Sequence, residues 1–249
     1  NKVLLHSEYR EAFRNSNLIA DFSLYKNKEN SNTHLFAELD GEINDKTEFT
    51  ISIQNVSNDN YLKIHDIKEY TKIITNHSSL RSYVMVESEI DENTNLTSSI
   101  RMYEDLSKKD SDKYNYVFPD FNFSKEIEID ESYNGQFNFL SSGFQKIYDT
   151  NRQEALINND FSFNSFDFIS PKGFVTDYNL LLKNYNTYSK NSSVYENKND
   201  HEIFGTFLIK SELPLKKELN ESTNFLKPIA QLRFSPTNGK NISETGATV

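Results

Sequence analysis

Five histidines are the residues of this 249-residue chain best suited to metal binding or proton transfer. They are His6, His34, His65, His77 and His201. None of them stands at the short spacing of a metal-ligand motif. The stretch IHDIKE places His65, Asp66 and Glu69 close together, but the second half of a metal site is lacking. The histidines are therefore predicted to be ordinary strand or loop residues.

The carboxylates are numerous, but their spacing does not favour catalysis. Glu126 and Glu128 lie two residues apart, and the alternation around them places both on the solvated face of a strand. The stretch DENTN (residues 91–95) lacks the glycine and glutamate spacing of an EF-hand. Gly-rich phosphate loops and the Gly-x-Ser-x-Gly elbow are also absent from the sequence. We predict a protein that is not an enzyme, with no catalytic residue, no metal-binding residue and no cofactor.

Charge and composition exclude further classes of function. The net charge is -10 and no basic stripe occurs, so we expect no binding to nucleic acid. The chain has no cysteine, which removes disulfides and most structural zinc sites. No window of the sequence approaches the roughly 20 apolar residues of a spanning helix. A membrane protein with this sequence would have to be a β-barrel.

Period-two alternation recurs along the chain and predicts β-strands. In EFTISIQNV (residues 48–56), for example, Phe49, Ile51 and Ile53 alternate with polar residues. About a dozen such strands follow one another, joined alternately by short turns and longer polar loops, as in an outer-membrane meander. Residues 57–78 are the least strand-like part, and the pattern leaves open a long loop or a short helix. Within FSFNSFDF (residues 161–168) the apolar residues switch from odd positions (Phe161, Phe163) to even positions (Phe166, Phe168). This switch predicts a bulge or a bend.

The longest alternating stretch runs from Tyr116 to Asp130 and is apolar on one track only. That track contains Val117, Phe121, Phe123, Ile127 and Ile129, whereas the other is acidic and polar from Asp120 onward. Pro119 has no backbone N–H to donate to a neighbouring strand, so we expect a bulge or a break in the strand there. We expect Phe121, Phe123, Ile127 and Ile129 to face lipid, and Tyr114 and Tyr116 to belong to an interfacial aromatic girdle.

The predicted fold is all-β: an antiparallel up-and-down meander forming a partial transmembrane β-barrel of about a dozen strands. Charged residues on the polar tracks, such as Arg10, Asp21, Glu87 and Arg101, suit a water-filled lumen. The same alternation is also compatible with a soluble or surface-exposed all-β binding module or adhesin. Periodicity alone does not separate the two.

A resemblance favours the membrane alternative. A series of phrases between Glu8 and Ser235 resembles, in order and spacing, the β-barrel domain of the LptD family, the lipopolysaccharide-assembly proteins of the Gram-negative outer membrane. Alphaproteobacterial forms are the most similar. The phrases are EYREAFRNS, HLFAELDG, VSNDNYLK, SSLRSYVMVE, YVFPDFNFS, DYNLLLKNYN and LKPIAQLRFSP.

The resemblance implies a function, partners and a location. The chain would belong to the translocon in the cell outer membrane that inserts lipopolysaccharide into the outer leaflet, through an opening between the first and last strands of a large barrel. A lipoprotein similar to LptE would plug the barrel, and a periplasmic bridge similar to LptA would deliver lipopolysaccharide through an N-terminal domain. The disulfide-forming cysteines of some members are missing here.

The same resemblance implies a domain assignment. Residues 1–249 would be a single β-barrel domain fragment, roughly the first half of the barrel, with the periplasmic domain and the closing strands absent. No gate residue can therefore be assigned by resemblance.

Overall fold

The computed structural model describes residues 3–28, 30–67, 71, 73, 76–109, 112–192, 197–219 and 222–236. Nearly all of them belong to one antiparallel sheet with the strand order β1-β2-β3-β4-β5-β6-β7-β8-β9-β11-β12-β15. Each strand of this path therefore pairs with the next long strand in the sequence. The predicted antiparallel meander of about a dozen strands is confirmed.

The strands and helices have the following bounds. They are β1 (Val3–Ala12), β2 (Ser16–Lys26), β3 (Ser31–Asn44), β4 (Thr47–Val56), α1 (Tyr61–Ile64), β5 (Ser79–Asp91), β6 (Thr94–Asp105), β7 (Tyr114–Ile127), a 3-10 helix (Glu131–Tyr133), β8 (Gly135–Tyr148), β9 (Gln153–Ser165), β10 (Phe168–Ile169), β11 (Val175–Lys190), β12 (Asn199–Glu212), β13 (Leu215–Leu219), β14 (Ser222–Leu226) and β15 (Ile229–Phe234).

Two short elements lie beside the main path. Strand β10 adds to the side of β11, and β13 and β14 form a separate hairpin between β12 and β15. Within the described residues the sheet is not closed, because β1 and β15 lie at its two ends and each pairs with one neighbour. No helix in this described part is long and apolar enough to cross a membrane.

The pairing register sorts the side chains into two faces. Leu39 pairs with Ile51, Ile51 with Val84, and Val84 with Ile100, so one apolar row crosses four strands. Residues paired in the ladder point to the same side of a sheet. We call the side that carries this row the apolar face and the opposite side the polar face. Val84 and Ile100 remain 44% and 52% exposed, so the protein itself does not cover the apolar face at these positions.

The long β7 strand confirms the predicted bulge and corrects one face assignment. The register shifts between Val117 and Asp120, on either side of Pro119, against β8. Beyond the shift, Phe121 and Phe123 lie on the apolar face, as predicted. Val117 instead pairs with Arg101 on the polar face, because the two residues skipped by the bulge reverse the alternation. Placing Val117 on the same face as Phe121 and Phe123 was therefore wrong.

Two other predictions about irregular segments are resolved. The exchange of apolar tracks within residues 161–168 falls at a break between β9, which ends at Ser165, and β10, which begins at Phe168, and the register against β11 shifts by one residue there. The segment between β4 and β5 contains the short helix α1. Ile129 and Asp130 lie beyond the end of β7.

The predicted alternation of short turns and longer loops holds only for the first half of the sheet. At one end of the strands the connections are tight, as in 13–15, 45–46 and 92–93. The longest connection, 57–78, lies at the opposite end of the strands. In the second half of the sheet, the connections at the first of these ends are long instead of tight. They are 128–134, 166–174 and 213–228. The prediction was wrong there, because strand β10 lies within connection 166–174 and the hairpin β13–β14 lies within connection 213–228.

Two glycines on the apolar face allow a matched test of the packing. A Cβ added at Gly143 would lie 2.5 Å from the carbonyl oxygen of Leu156 and 3.0 Å from Cε1 of Phe121, whereas at Gly205 it would meet nothing within 4 Å. We expect Gly143→Ala to lower the free energy of unfolding by roughly 1–3 kcal/mol because of this overlap. We expect Gly205→Ala to leave it nearly unchanged. Urea unfolding of the full-length protein in detergent measures both, and equal effects would contradict the packing described.

Candidate functional site

Ion pairs between neighbouring strands line the polar face. Arg101 Nη1 lies 3.1 Å from Asp120 Oδ2 across β6 and β7, and Lys183 Nζ lies 3.2 Å from Asp160 Oδ2 across β11 and β9. The side chains of all four are partly exposed. Charges of both signs on one surface keep it hydrated, so this face is suited to contact with water or with a polar ligand.

A segment between β4 and β5 folds over one part of the polar face. We call residues 57–67, which include α1, the covering segment. Its Tyr61 and Leu62 are 1% and 0% exposed. They belong to a buried apolar cluster formed with strands β3, β4 and β5 and the connection after β6. The cluster contains Phe36, Val56, Tyr61, Leu62, Ile67, Leu80 and Leu106.

A buried network of hydrogen bonds lies beneath the covering segment. Ser23 Oγ is 2.6 Å from the hydroxyl of Tyr61 and 2.5 Å from Nδ1 of His34. His34 Nε2 is 2.5 Å from Asp21 Oδ1, and His6 Nε2 is 2.8 Å from the same oxygen. Asp21, Ser23 and His34 are at most 1% exposed. The network therefore ties the covering segment to strands β1, β2 and β3.

Strand register explains why these side chains meet. Ser23 pairs with His6 on β1 and with His34 on β3, so the three residues form one row on the polar face. Asp21, two residues before Ser23, shares that face and lies between the two imidazoles. Sequence spacing did not reveal the group, since its members are distant along the chain. The signal that was available is the pair of histidines on the polar tracks of the first and third strands.

The order Ser23–His34–Asp21 is that of a hydrolase triad, but the surroundings do not suit catalysis. Ser23 is fully buried, and its hydroxyl is bonded to both His34 and Tyr61. A nucleophile must reach its substrate and lie beside donors for an oxyanion. The arrangement is instead suited to holding the covering segment in place or, through His6, Asp21 and His34, to binding a metal ion.

A second polar contact anchors the covering segment near the connection 106–113. Lys113 Nζ lies 2.8 Å from Asp59 Oδ1 and 3.1 Å from Glu104 Oε1. The hydrogen bond that Lys113 donates to Asp59, with a further contribution from Glu104, raises the pKa of Lys113 above its ordinary value. Tyr114 donates its hydroxyl to Glu104 Oε1 over 3.0 Å. The covering segment is therefore held at both Asp59 and Tyr61.

The remaining residues singled out in the sequence lie apart from this network. Glu126 and Glu128 are exposed, and Glu128 accepts a hydrogen bond from Asn93 at the β5–β6 turn. Nδ1 of His201 lies 2.9 Å from Asn186 Oδ1 on the apolar face. Of the predicted group in IHDIKE, Glu69 lies outside the described residues.

Aromatic rings form a row along one rim of the apolar face. The ring centroid of Phe163 lies 4.7 Å from that of Phe137 and 5.5 Å from that of Tyr178, which lies 6.4 Å from Phe207. These four residues come from β8, β9, β11 and β12. A band of aromatic rings at the edge of an apolar surface is typical of barrels at the boundary between lipid and water. Tyr116, predicted to belong to such a girdle, is 42% exposed on the same face.

Comparison with known proteins identifies one family. A family model described as LptD, LPS transport system D, matches residues 31–243. Among solved structures, the chain is similar to a bacterial polysaccharide outer membrane secretin, with 11% sequence identity, a TM-score of 0.39, and coverage of 94% of this chain and 73% of that chain. A similarity at this TM-score supports no conclusion about function. No curated protein matches the chain.

His65 makes the packing of the covering segment dependent on pH. Its ring packs at a tilt against Tyr25 and Tyr61, with centroids 4.4 and 4.8 Å apart, and burial lowers its pKa. The unfolded segment therefore binds a proton at a higher pH than the packed one, so stability is lost as pH falls below about 6.5. We expect hydrogen-exchange protection factors of residues 61–65 to be lower at pH 5.5 than at pH 7.5. The variant His65→Phe should abolish this difference, and equal protection of the wild type at both values would contradict the prediction.

Proposed function

The chain belongs to the LptD family of the LPS transport system, and we propose that it forms part of the outer-membrane translocon that inserts lipopolysaccharide into the outer leaflet. Membership of this family places the chain in the outer membrane and makes it a transport component. The insertion step is a proposal that rests on the family and on the two faces of the sheet.

The single observation that carries this proposal is that exposed apolar side chains lie on one face of a large antiparallel sheet and interstrand ion pairs lie on the other, although a polar row of Ser141, Asn159 and Asn184 interrupts the apolar face. Leu182 on the apolar face is 47% exposed, while its neighbour Lys183 pairs with Asp160 on the polar face. A soluble binding module would have to cover such an apolar surface. A bilayer covers it without further protein, so the membrane alternative fits the exposed residues better than an adhesin does.

The proposed mechanism forms and breaks no covalent bond. A charged glycan is excluded from hydrocarbon because its polar groups lose their hydration there. The polar face offers water and charged side chains along a route between the two sides of the bilayer. Lipopolysaccharide would move along this face while its acyl chains leave toward lipid, and the energy for transport would come from other components.

We propose that further strands complete the barrel and that residues 1–249 are one β-barrel domain within it. In the described part of the chain, β1 and β15 each pair on one side only. A sheet edge cannot face hydrocarbon, because its backbone groups would lack hydrogen-bond partners. The missing partners would be strands of the same domain outside residues 1–249, as the resemblance to the family implies.

Two protein partners are part of the proposal. The covering segment packs against Phe36, Val56 and Leu80 of β3 to β5, whereas the ion pairs of Arg101 and Lys183 on the polar face of β6 to β11 keep their side chains partly exposed. This surface is suited to a lipoprotein plug similar to LptE. A periplasmic bridge similar to LptA would act through the N-terminal domain that the family possesses. Lipopolysaccharide is the proposed transported lipid.

Depletion of the full-length protein in its native host tests the proposal. We expect lipopolysaccharide on the cell surface to fall and to accumulate within the cell envelope, because the last step of its route is removed. Lipopolysaccharide accessible to an impermeant label on intact cells measures the effect. Unchanged surface lipopolysaccharide after loss of the protein would contradict the proposed function.

A pair of variants separates the polar face from general folding. Lys183→Met with Asp160→Leu removes one ion pair from the polar face, and we expect slower appearance of surface lipopolysaccharide. Leu182→Met, on the opposite face of the same strand, is the matched control and should transport normally. Outer-membrane levels of both variants show whether assembly is intact.

A further inference from the structure

Two imidazoles and one carboxylate converge on the polar face at β1, β2 and β3. The ligand atoms of His6, Asp21 and His34 lie within 4.8 Å of one another. Both Nε2 atoms approach one oxygen, Asp21 Oδ1, at 2.8 and 2.5 Å. Because the three residues come from three paired strands, the backbone ladder fixes their relative positions. The three groups are therefore held together by the sheet, and small side-chain movements would open their hydrogen-bonded arrangement to an ion.

The carboxylate at the centre of this group is incompletely satisfied. Asp21 is 0% exposed, and within the described residues its Oδ2 has no hydrogen-bond partner. A buried carboxylate requires compensating positive charge, and an unpaired oxygen adds a desolvation cost of roughly 1–3 kcal/mol or more. A cation bound between Asp21 and the imidazoles would provide both the charge and a partner for Oδ2.

The surroundings of His34 are those of a metal-ligating histidine. Its Nδ1 lies 2.5 Å from Ser23 Oγ, which in turn contacts the hydroxyl of Tyr61. Histidines that bind metals usually donate their other ring N–H to such a partner, which fixes the tautomer and the orientation of the ring. With Nδ1 as donor to Ser23, the lone pair of Nε2 points at Asp21 Oδ1. Two electron-rich atoms at that distance require a proton between them, and a bound ion would replace this proton and move the two ligand atoms apart.

We propose that His6, Asp21 and His34 bind a divalent transition metal, with Zn²⁺ as the ion that fits the donors best. Two imidazole nitrogens and one carboxylate oxygen form a common zinc donor set. Ca²⁺ and Mg²⁺ prefer sites made of oxygen atoms. The ion would join β1 to β2 and β3 and, through Ser23 and Tyr61, would hold the covering segment on the polar face.

Metal content of the full-length protein tests this proposal independently of transport. After treatment with a chelator and titration with Zn²⁺ in detergent, we expect one high-affinity Zn²⁺ per chain to be lost in His6→Gln and in Asp21→Asn. We expect His201→Gln, which changes a histidine on the opposite face, to retain it. Ser23→Ala leaves the three ligands in place but removes the partner that His34 shares with Tyr61, and it should weaken Zn²⁺ binding by roughly 10- to 100-fold.

Co²⁺ provides a second readout that needs no variant. Binding of Co²⁺ to the stripped wild-type protein should produce visible absorption bands of a low-coordinate nitrogen and oxygen site, and Zn²⁺ should remove them.

Equal Zn²⁺ content of wild type, His6→Gln and Asp21→Asn would overturn the proposal and leave a hydrogen-bonded network only. If Asp21→Asn fails to fold, His6→Gln decides, because the His6 side chain is 25% exposed and a neutral amide fits there.

Discussion

The register of the antiparallel ladder is the constraint on which the rest of this structure depends. Side chains alternate strictly along each strand, so slipping one strand by one residue would move all its side chains to the opposite face. The observed register aligns Leu39, Ile51, Val84 and Ile100 in one apolar row. It also brings His6, Ser23 and His34 into one row on the polar face. The apolar surface and the buried network are two results of the same pairing.

The covering segment depends on apolar packing for its stability and on polar contacts for its position. Burial of a side chain such as Leu62 contributes roughly 1.5–3 kcal/mol, whereas a single hydrogen bond such as that between Tyr61 and Ser23 contributes about 1 kcal/mol net. The apolar cluster therefore supplies most of the free energy of docking. The contacts of Tyr61 and Asp59 determine where on the polar face the segment lies.

Much of this architecture is predictable from alternation alone, and the exceptions have physical causes. Strands such as β4 and the faces of Phe121 and Phe123 follow from period-two patterning, because one face is apolar over its whole length. Val117 was placed on the wrong face, because a bulge reverses the alternation at a position that Pro119 marks only approximately. The helix α1 has four residues, too few for helical periodicity to be recognised. The group of His6, Asp21 and His34 depends on pairing between strands, which no local pattern encodes.

The central claim is that this sheet lies in a bilayer with its apolar face toward lipid. Nitroxide labels placed singly at Phe121, Asn122, Phe123 and Ser124 of the full-length protein in a bilayer test it directly. The structure predicts that accessibility to oxygen, which concentrates in lipid, is high at Phe121 and Phe123. Accessibility to a water-soluble nickel chelate should be high at Asn122 and Ser124. The absence of this alternation, or accessibility to the nickel chelate at all four positions, would contradict it.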